Sequence, residues 1–171
     1  MIKRMRIEPY SSYLERYRKG GVAHPVTIAD GFVFLSGLPP FDERGEIGAA
    51  PFEQQCERVL AQLKTCLEAA GTSLSNVIKC NVYCVPGPER FAIFNAVYDR
   101  YFPSDAPSRI FMFIHSWPGP FDLEMDCVAA LCGAVRSSLG KPGSRVCDAP
   151  LSRCAAPGTR VFGRSNEAAP R

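Results

Sequence analysis

The chain has 171 residues, enough for one hydrophobic core and too few for two domains of ordinary size. Its net charge of +3 hides a split: residues 1–20 carry six Lys/Arg against two acids and residues 136–171 carry seven against two, leaving −6 on residues 21–135. A core of that sign repels polyphosphate, which argues against a nucleic-acid partner.

The opening stretch MIKRMRIEPYSS is basic but lacks an apolar segment and a small-residue cleavage site, and no run approaches the ~18 apolar residues of a membrane helix. The expectation is a cytoplasmic protein with no membrane partner. Eight cysteines then belong to a reducing compartment, where disulfides do not persist, and none forms a CxxC pair. Buried small hydrophobes are the favoured reading of them.

Residues 1–20 read as an N-terminal arm without clear period, packing on the domain or on a neighbouring subunit, and receive no chemistry. A hairpin follows, with strands near Pro25–Ala29 and Phe32–Gly37 joined by Asp30-Gly31, a strong tight-turn dipeptide. Pro51 opens a helix whose Cys56, Val59, Leu60, Leu63, Cys66, Leu67 and Ala70 recur at helical spacing until Gly71 ends it. Val77–Val85 alternates as a strand, with Ile78, Cys80, Val82 and Cys84 expected inward. Pro86–Phe102 reads as a second helix, with Phe91, Phe94, Val97, Tyr98 and Tyr101 along one side.

Two β-rich runs, Ser108–Trp117 and Asp122–Leu131, flank a Pro-Gly-Pro loop and are expected to pair antiparallel. The order ββαβαββ predicts an α+β fold, a mixed sheet with two helices on one face, and leaves the other face in need of a partner. The domain is thus placed at residues 21–135. From Arg136 onward Gly, Pro, Ser, Arg and Ala without apolar period predict a disordered basic tail.

The chemistry centres on Arg109, which shares a strand face with Phe111, Phe113 and His115 by period-two alternation. A guanidinium against apolar walls anchors a small carboxylate through two parallel hydrogen bonds. On the last strand Glu124 shares a face with Asp122 and Asp126, and the expected antiparallel pairing would bring it beside Arg109. A cross-strand Arg–Glu bridge of purely structural value fits the same spacing.

Six segments in order resemble one family: LSG at Leu35–Gly37, EAAG at Glu68–Gly71, VIKCNVY at Val77–Tyr83, NAVYDRYF at Asn95–Phe102, PSR at Pro107–Arg109, and WPGPFDLEMDCVA at Trp117–Ala129. Over about Gly21–Leu131 the chain resembles the RidA (YjgF) family of reactive-intermediate deaminases. The resemblance implies a chorismate-mutase-like fold, assembly as a homotrimer, and clefts between subunits as sites. It implies that Arg109 clamps the substrate carboxylate, that Glu124 orients water and moves protons, and that Ser36, Gly37 and Asn95 line the pocket. The implied reaction is hydrolysis of a 2-aminoacrylate-type enamine or its imine tautomer to a 2-keto acid and ammonia, without metal or organic cofactor. Two alternatives stand beside it: a non-catalytic module that binds or senses a small carboxylate, and an endoribonuclease, an activity described for some relatives. A gapless alignment back from LSG puts Ala23 where well-studied members carry a pocket tyrosine, and Phe111 where they often have cysteine. A pocket with a bulkier, more aromatic lining is therefore expected.

Overall fold

The computed structural model of the chain describes residues 1–131, so the basic tail and the last residues of the expected domain lie outside the described residues. Strand β1 (Ile2–Met5) leads into helix α1 (Tyr10–Tyr17), followed by β2 (Val26–Ala29), β3 (Phe32–Leu35), α2 (Phe52–Ala69), β4 (Val77–Cys84), α3 (Arg90–Tyr101), β5 (Ser108–Phe113) and β6 (Leu123–Ala130). From β2 onward this is the expected order ββαβαββ. The fold is α+β, a six-stranded mixed sheet in the order β1-β2-β3-β6-β4-β5 with three helices.

The β2–β3 turn forms as its dipeptide predicts, with φ 48° at Asp30 and 82° at Gly31. Positive φ at both central residues is the tight hairpin geometry that Asp-Gly suits. Every apolar position named for the first long helix is buried, six within α2 and Ala70 at its C-cap. The second helix starts at Arg90, four residues later than its prolines suggest, because Glu89 sits left-handed at φ 55° and ends the Pro-Gly-Pro turn first. Among its apolar positions Phe94, Val97 and Tyr98 are buried.

Two expectations about the sheet are corrected. The strands flanking the Trp117–Phe121 loop do not pair with each other. Strand β5 runs parallel to β4 at the sheet edge, and β6 lies between β3 and β4, antiparallel to both. The loop therefore crosses over β4 instead of closing a hairpin, and β4 takes a partner on each side. The other correction is local: the β4–β6 register shifts between Val77 and Lys79, so Val77 is buried and Ile78 exposed, although Cys80, Val82 and Cys84 point inward as expected. A bulge inserts one residue and flips the alternation on one side of it.

Helices α2 and α3 cover one face of the sheet, closing the core over Val33, Leu35, Cys80, Val82, Leu123, Met125 and Cys127. Five cysteines, Cys56, Cys66, Cys80, Cys84 and Cys127, are buried and unbridged. Burial pushes the thiols of Cys56, Cys66 and Cys80 up to about 12. Such thiols behave as small hydrophobes and not as nucleophiles. The opposite sheet face carries exposed Phe32, Phe34, Ile110 and Met112, each at a position that alternation turns away from the core.

The first twenty residues are built into the domain. Strand β1 extends the sheet by pairing with β2, and α1 buries Leu14 and packs Tyr13 at a tilt against Phe41, with Arg16 donating to the carbonyls of Arg44 and Gly45. Glu15 accepts from Arg6 and from the Ala23 amide, tying both ends of the segment together. Among the described residues no helix is long and apolar enough to cross a membrane.

Candidate active site

Strand β3 ends at Leu35, opposite Cys127 of β6, and delivers Ser36 and Gly37 to the sheet's open side. There the outward side chain of β6 is Glu124, because Leu123 and Met125 on either side of it turn into the core. A Cβ on Gly37 would stand 2.7 Å from the Glu124 carboxylate oxygen Oε2, so glycine at 37 is what leaves room for that carboxyl. The loop before β6 stacks Trp117 on Phe121, with ring centroids 5.3 Å apart, and sets Trp117 edge-on to Tyr83. From α1, the Tyr17 hydroxyl donates to the Pro118 carbonyl at 3.2 Å. These groups enclose a cavity of about 330 Å³ lined by Tyr17, Arg18, Ser36, Gly37, Trp117 and Glu124, among others. Burial holds the Glu124 carboxyl at about 7 instead of 4.5, with Arg18 pulling it partly back down. A carboxyl that titrates near neutrality can both give and take a proton at working pH.

Arg109 lies on edge strand β5 in register with Cys80 of β4, and so on the helix-covered face. Its guanidinium donates to Asn95 Oδ1 of α3 at 2.7 Å and lies over the rings of Tyr98 and Phe94, at 4.4 and 5.4 Å from their centroids. Phe111, two residues on, packs edge-to-face on Phe91 and Phe94. The guanidinium is thereby stacked and aimed, yet among the described residues no carboxylate lies within salt-bridge distance of it. A planar fork held this way matches an incoming carboxylate.

The residues expected at the site thus fall into two groups. Ser36, Gly37 and Glu124 come together, and so do Asn95, Arg109 and Phe111. The expected meeting of Arg109 and Glu124 does not occur within the chain. Glu124 is in register with Tyr83, on the open face, whereas Arg109 is in register with Cys80, on the covered one. The structural Arg–Glu bridge disappears with the β5–β6 pairing that would have made it. His115 lies exposed beyond the end of β5, not on the strand face.

Sequence reasoning missed Tyr17 and Arg18. Ala23, aligned where well-studied members carry a pocket tyrosine, is buried at 2% exposure, and Tyr17 of α1 lines the cavity. The signal was present: Tyr10, Tyr13, Leu14 and Tyr17 recur at three- and four-residue steps, the period of a helix with one apolar side. A larger groove of about 510 Å³, between the loop around Asp42 and α2, shares no lining residue with this cavity. Its Asp42 and Glu57 carboxylates are occupied by local hydrogen bonds.

The family described as endoribonuclease L-PSP matches residues 15–131. A RutC family protein of Pyrococcus abyssi is 36% identical over 99 residues, 57% of this chain and 77% of the relative. Reactive Intermediate Deaminase A of the Arabidopsis thaliana chloroplast is 32% identical over 104 residues, 60% of this chain and 55% of the relative. Among solved structures, RidA from the Antarctic bacterium Psychrobacter sp. superposes with a TM-score of 0.60 at 27% identity, over 65% of this chain and 89% of that one. Escherichia coli TdcF with bound serine gives 0.59 at 28%, over 64% and 88%. With its motifs, its sheet and this match in agreement, the chain belongs to the endoribonuclease L-PSP family, that of the RidA (YjgF) proteins.

Proposed function

We propose that the protein is a cytoplasmic deaminase that hydrolyses 2-aminoacrylate-type enamines and their imine tautomers, such as 2-iminopropanoate and 2-iminobutanoate, to 2-keto acid and ammonia. The observation that carries this reading is the pair of half-sites: a stacked guanidinium with no carboxylate partner, and a carboxyl titrating near 7 beside Ser36 and Gly37. A homotrimer with clefts between subunits unites them, seating the exposed Phe32, Phe34, Ile110 and Met112 and bringing Arg109 of one copy to Glu124 of the next.

In that cleft Arg109 fixes the substrate carboxylate, with Asn95 holding the fork in plane. Transfer of a proton from the enamine's nitrogen to its methylene carbon gives the imine, whose carbon is already electrophilic. Water, held by Glu124 and the Ser36 hydroxyl, adds to that carbon while Glu124 takes its proton and passes it to the imine nitrogen, giving a carbinolamine. The hydroxyl then gives its proton through Glu124 to the same nitrogen as the C–N bond breaks, leaving the keto oxygen and releasing ammonia. Positioning and one proton shuttle suffice, so no covalent intermediate with the protein is required.

The test supplies the purified protein with amino acids turned over by a 2-aminoacrylate-generating lyase and follows keto-acid and ammonia release. Accelerated hydrolysis that falls away in Arg109→Ala is expected. Binding of keto acids without acceleration would instead favour the non-catalytic carboxylate-binding module. RNA cleavage without imine hydrolysis would favour the endoribonuclease that the family's description names.

A further inference from the structure

Two donors on residues that line the Glu124 cavity lack a protein partner, one exposed and one buried. Arg18, just past the C-terminus of α1, lines it, and among the described residues its guanidinium forms no ion pair within 4 Å and no side-chain hydrogen bond. The indole N–H of Trp117, another lining residue, is buried without an acceptor. The Tyr17 hydroxyl is already spent on the Pro118 carbonyl. Against these donors the cavity offers the single carboxylate of Glu124, which the reaction requires for water and proton.

We propose that Arg18, which lines the cavity together with Trp117, forms a second anion subsite, and that the substrates are imines of amino dicarboxylic acids, whose distal carboxylate docks there. This inference rests on the deaminase reading, in which Arg109 takes the carboxylate next to the imine. An arginine fork matches a carboxylate, and a ligand acid pairs Arg18 while leaving Glu124 free. Placed at the cavity mouth, it also offsets the positive charge facing Glu124. The overall reaction is unchanged: one water is consumed, the C=N bond becomes C=O, and ammonia leaves, with the distal carboxylate a spectator.

The experiment compares two imine families, generated in place from acidic and from small neutral amino acids by amino-acid oxidases with catalase present. Wild-type protein is measured beside Arg18→Met and Arg18→Lys. The backbone amide of Arg18 bonds the Leu14 carbonyl and is untouched by either change. The kcat/KM ratio of dicarboxylic over monocarboxylic imine should fall roughly ten- to a hundredfold in Arg18→Met, the range expected for a lost hydrogen bond to a charged group, and partly return in Arg18→Lys. Calorimetric binding of 2-oxoglutarate against 2-oxobutanoate should lose its preference in parallel. A ratio and a binding preference that do not move, with monocarboxylic imines still hydrolysed, overturn the subsite and leave the deaminase reading standing. Failure of every imine in wild-type protein overturns both.

Discussion

Glu124→Gln isolates the group on which the proposed reaction depends. In the folded protein burial raises this carboxyl from 4.5 to about 7, so between those pH values the native state holds a proton that the unfolded chain has released. The carboxyl therefore costs nothing below pH 4.5, costs progressively more as pH rises, and costs its full amount above 7. At about 1.4 kcal/mol per pH unit the ceiling is about 3 kcal/mol. Partial solvent contact at the cavity mouth reduces it, to about 2 kcal/mol. A glutamine keeps the shape and never ionises. At about 3–5 °C per kcal/mol for a domain of this size, Glu124→Gln should melt some 6–10 °C above wild type at pH 8 and within a degree or two of it at pH 4.5. The matching activity assay is kcat/KM for imine hydrolysis against pH. Wild type should bend near pH 7, and the variant should bind keto acids yet turn over slowly and without that bend. Equal melting temperatures at pH 8, or a variant less stable at both pH values, would refute a carboxyl held near neutrality by burial.

Arg109→Lys should lose nearly as much activity as Arg109→Ala, roughly a hundredfold or more in kcat/KM, because an ammonium cannot stack on Tyr98 and present a planar fork. Thermal melts should fall only modestly, by the lost Asn95 hydrogen bond and ring contacts, since no ion pair is broken. Gly37→Ala should cost little stability but most of the imine hydrolysis, because the new methyl group would occupy space 2.7 Å from Glu124 Oε2 and turn the carboxyl away; wild-type rates in the variant would refute the packing argument. Met112→Glu, a charge on the exposed sheet face, should give a folded monomer where wild type scatters light as a trimer.

The helices, strands and buried set were legible wherever one period dominated, as in α2, where six named apolar positions and the C-cap Ala70 are buried. Partner choice among strands was not. Period-two alternation says which way Arg109 and Glu124 point relative to their own neighbours, but nothing in it says that β6 inserts between β3 and β4. Pro-Gly-Pro between two strands suits a hairpin and a crossing loop equally, and the hydrophobic pattern of β4, buried between two neighbours, decides it only in three dimensions. The bulge at Val77/Lys79 is invisible for the same reason, since one extra residue leaves the local composition unchanged. Tyr17 and Arg18 were lost to a different cause: a short helix carries four periodic apolar positions, and the charged Glu15, Arg16, Arg18 and Lys19 at its end masked the period. The candidate site residues could therefore be named as types but not placed as an arrangement.

That arrangement yields a test that no structural reading of Arg109 or Glu124 can pass. If each cleft takes Glu124 from one copy and Arg109 from the next, Arg109→Ala and Glu124→Gln proteins are each inactive alone, yet they carry complementary intact halves. Unfolded together in equal amounts and refolded, subunits of the two kinds assort at random around the threefold axis. A cleft is intact when its Glu124 donor is the Arg109 variant and its Arg109 donor is the Glu124 variant. Each condition is met with probability one half, so about a quarter of all clefts regain both groups. Imine hydrolysis should recover to about 25% of wild type per site in the mixture, and to none when the variants are refolded separately and then combined without exchange. Co-refolding both changes on one chain with wild type controls for assembly. If mixing restored nothing, no cleft would draw on two copies, and because Arg109 and Glu124 lie on opposite faces of the sheet within one chain, they would not act at one site at all.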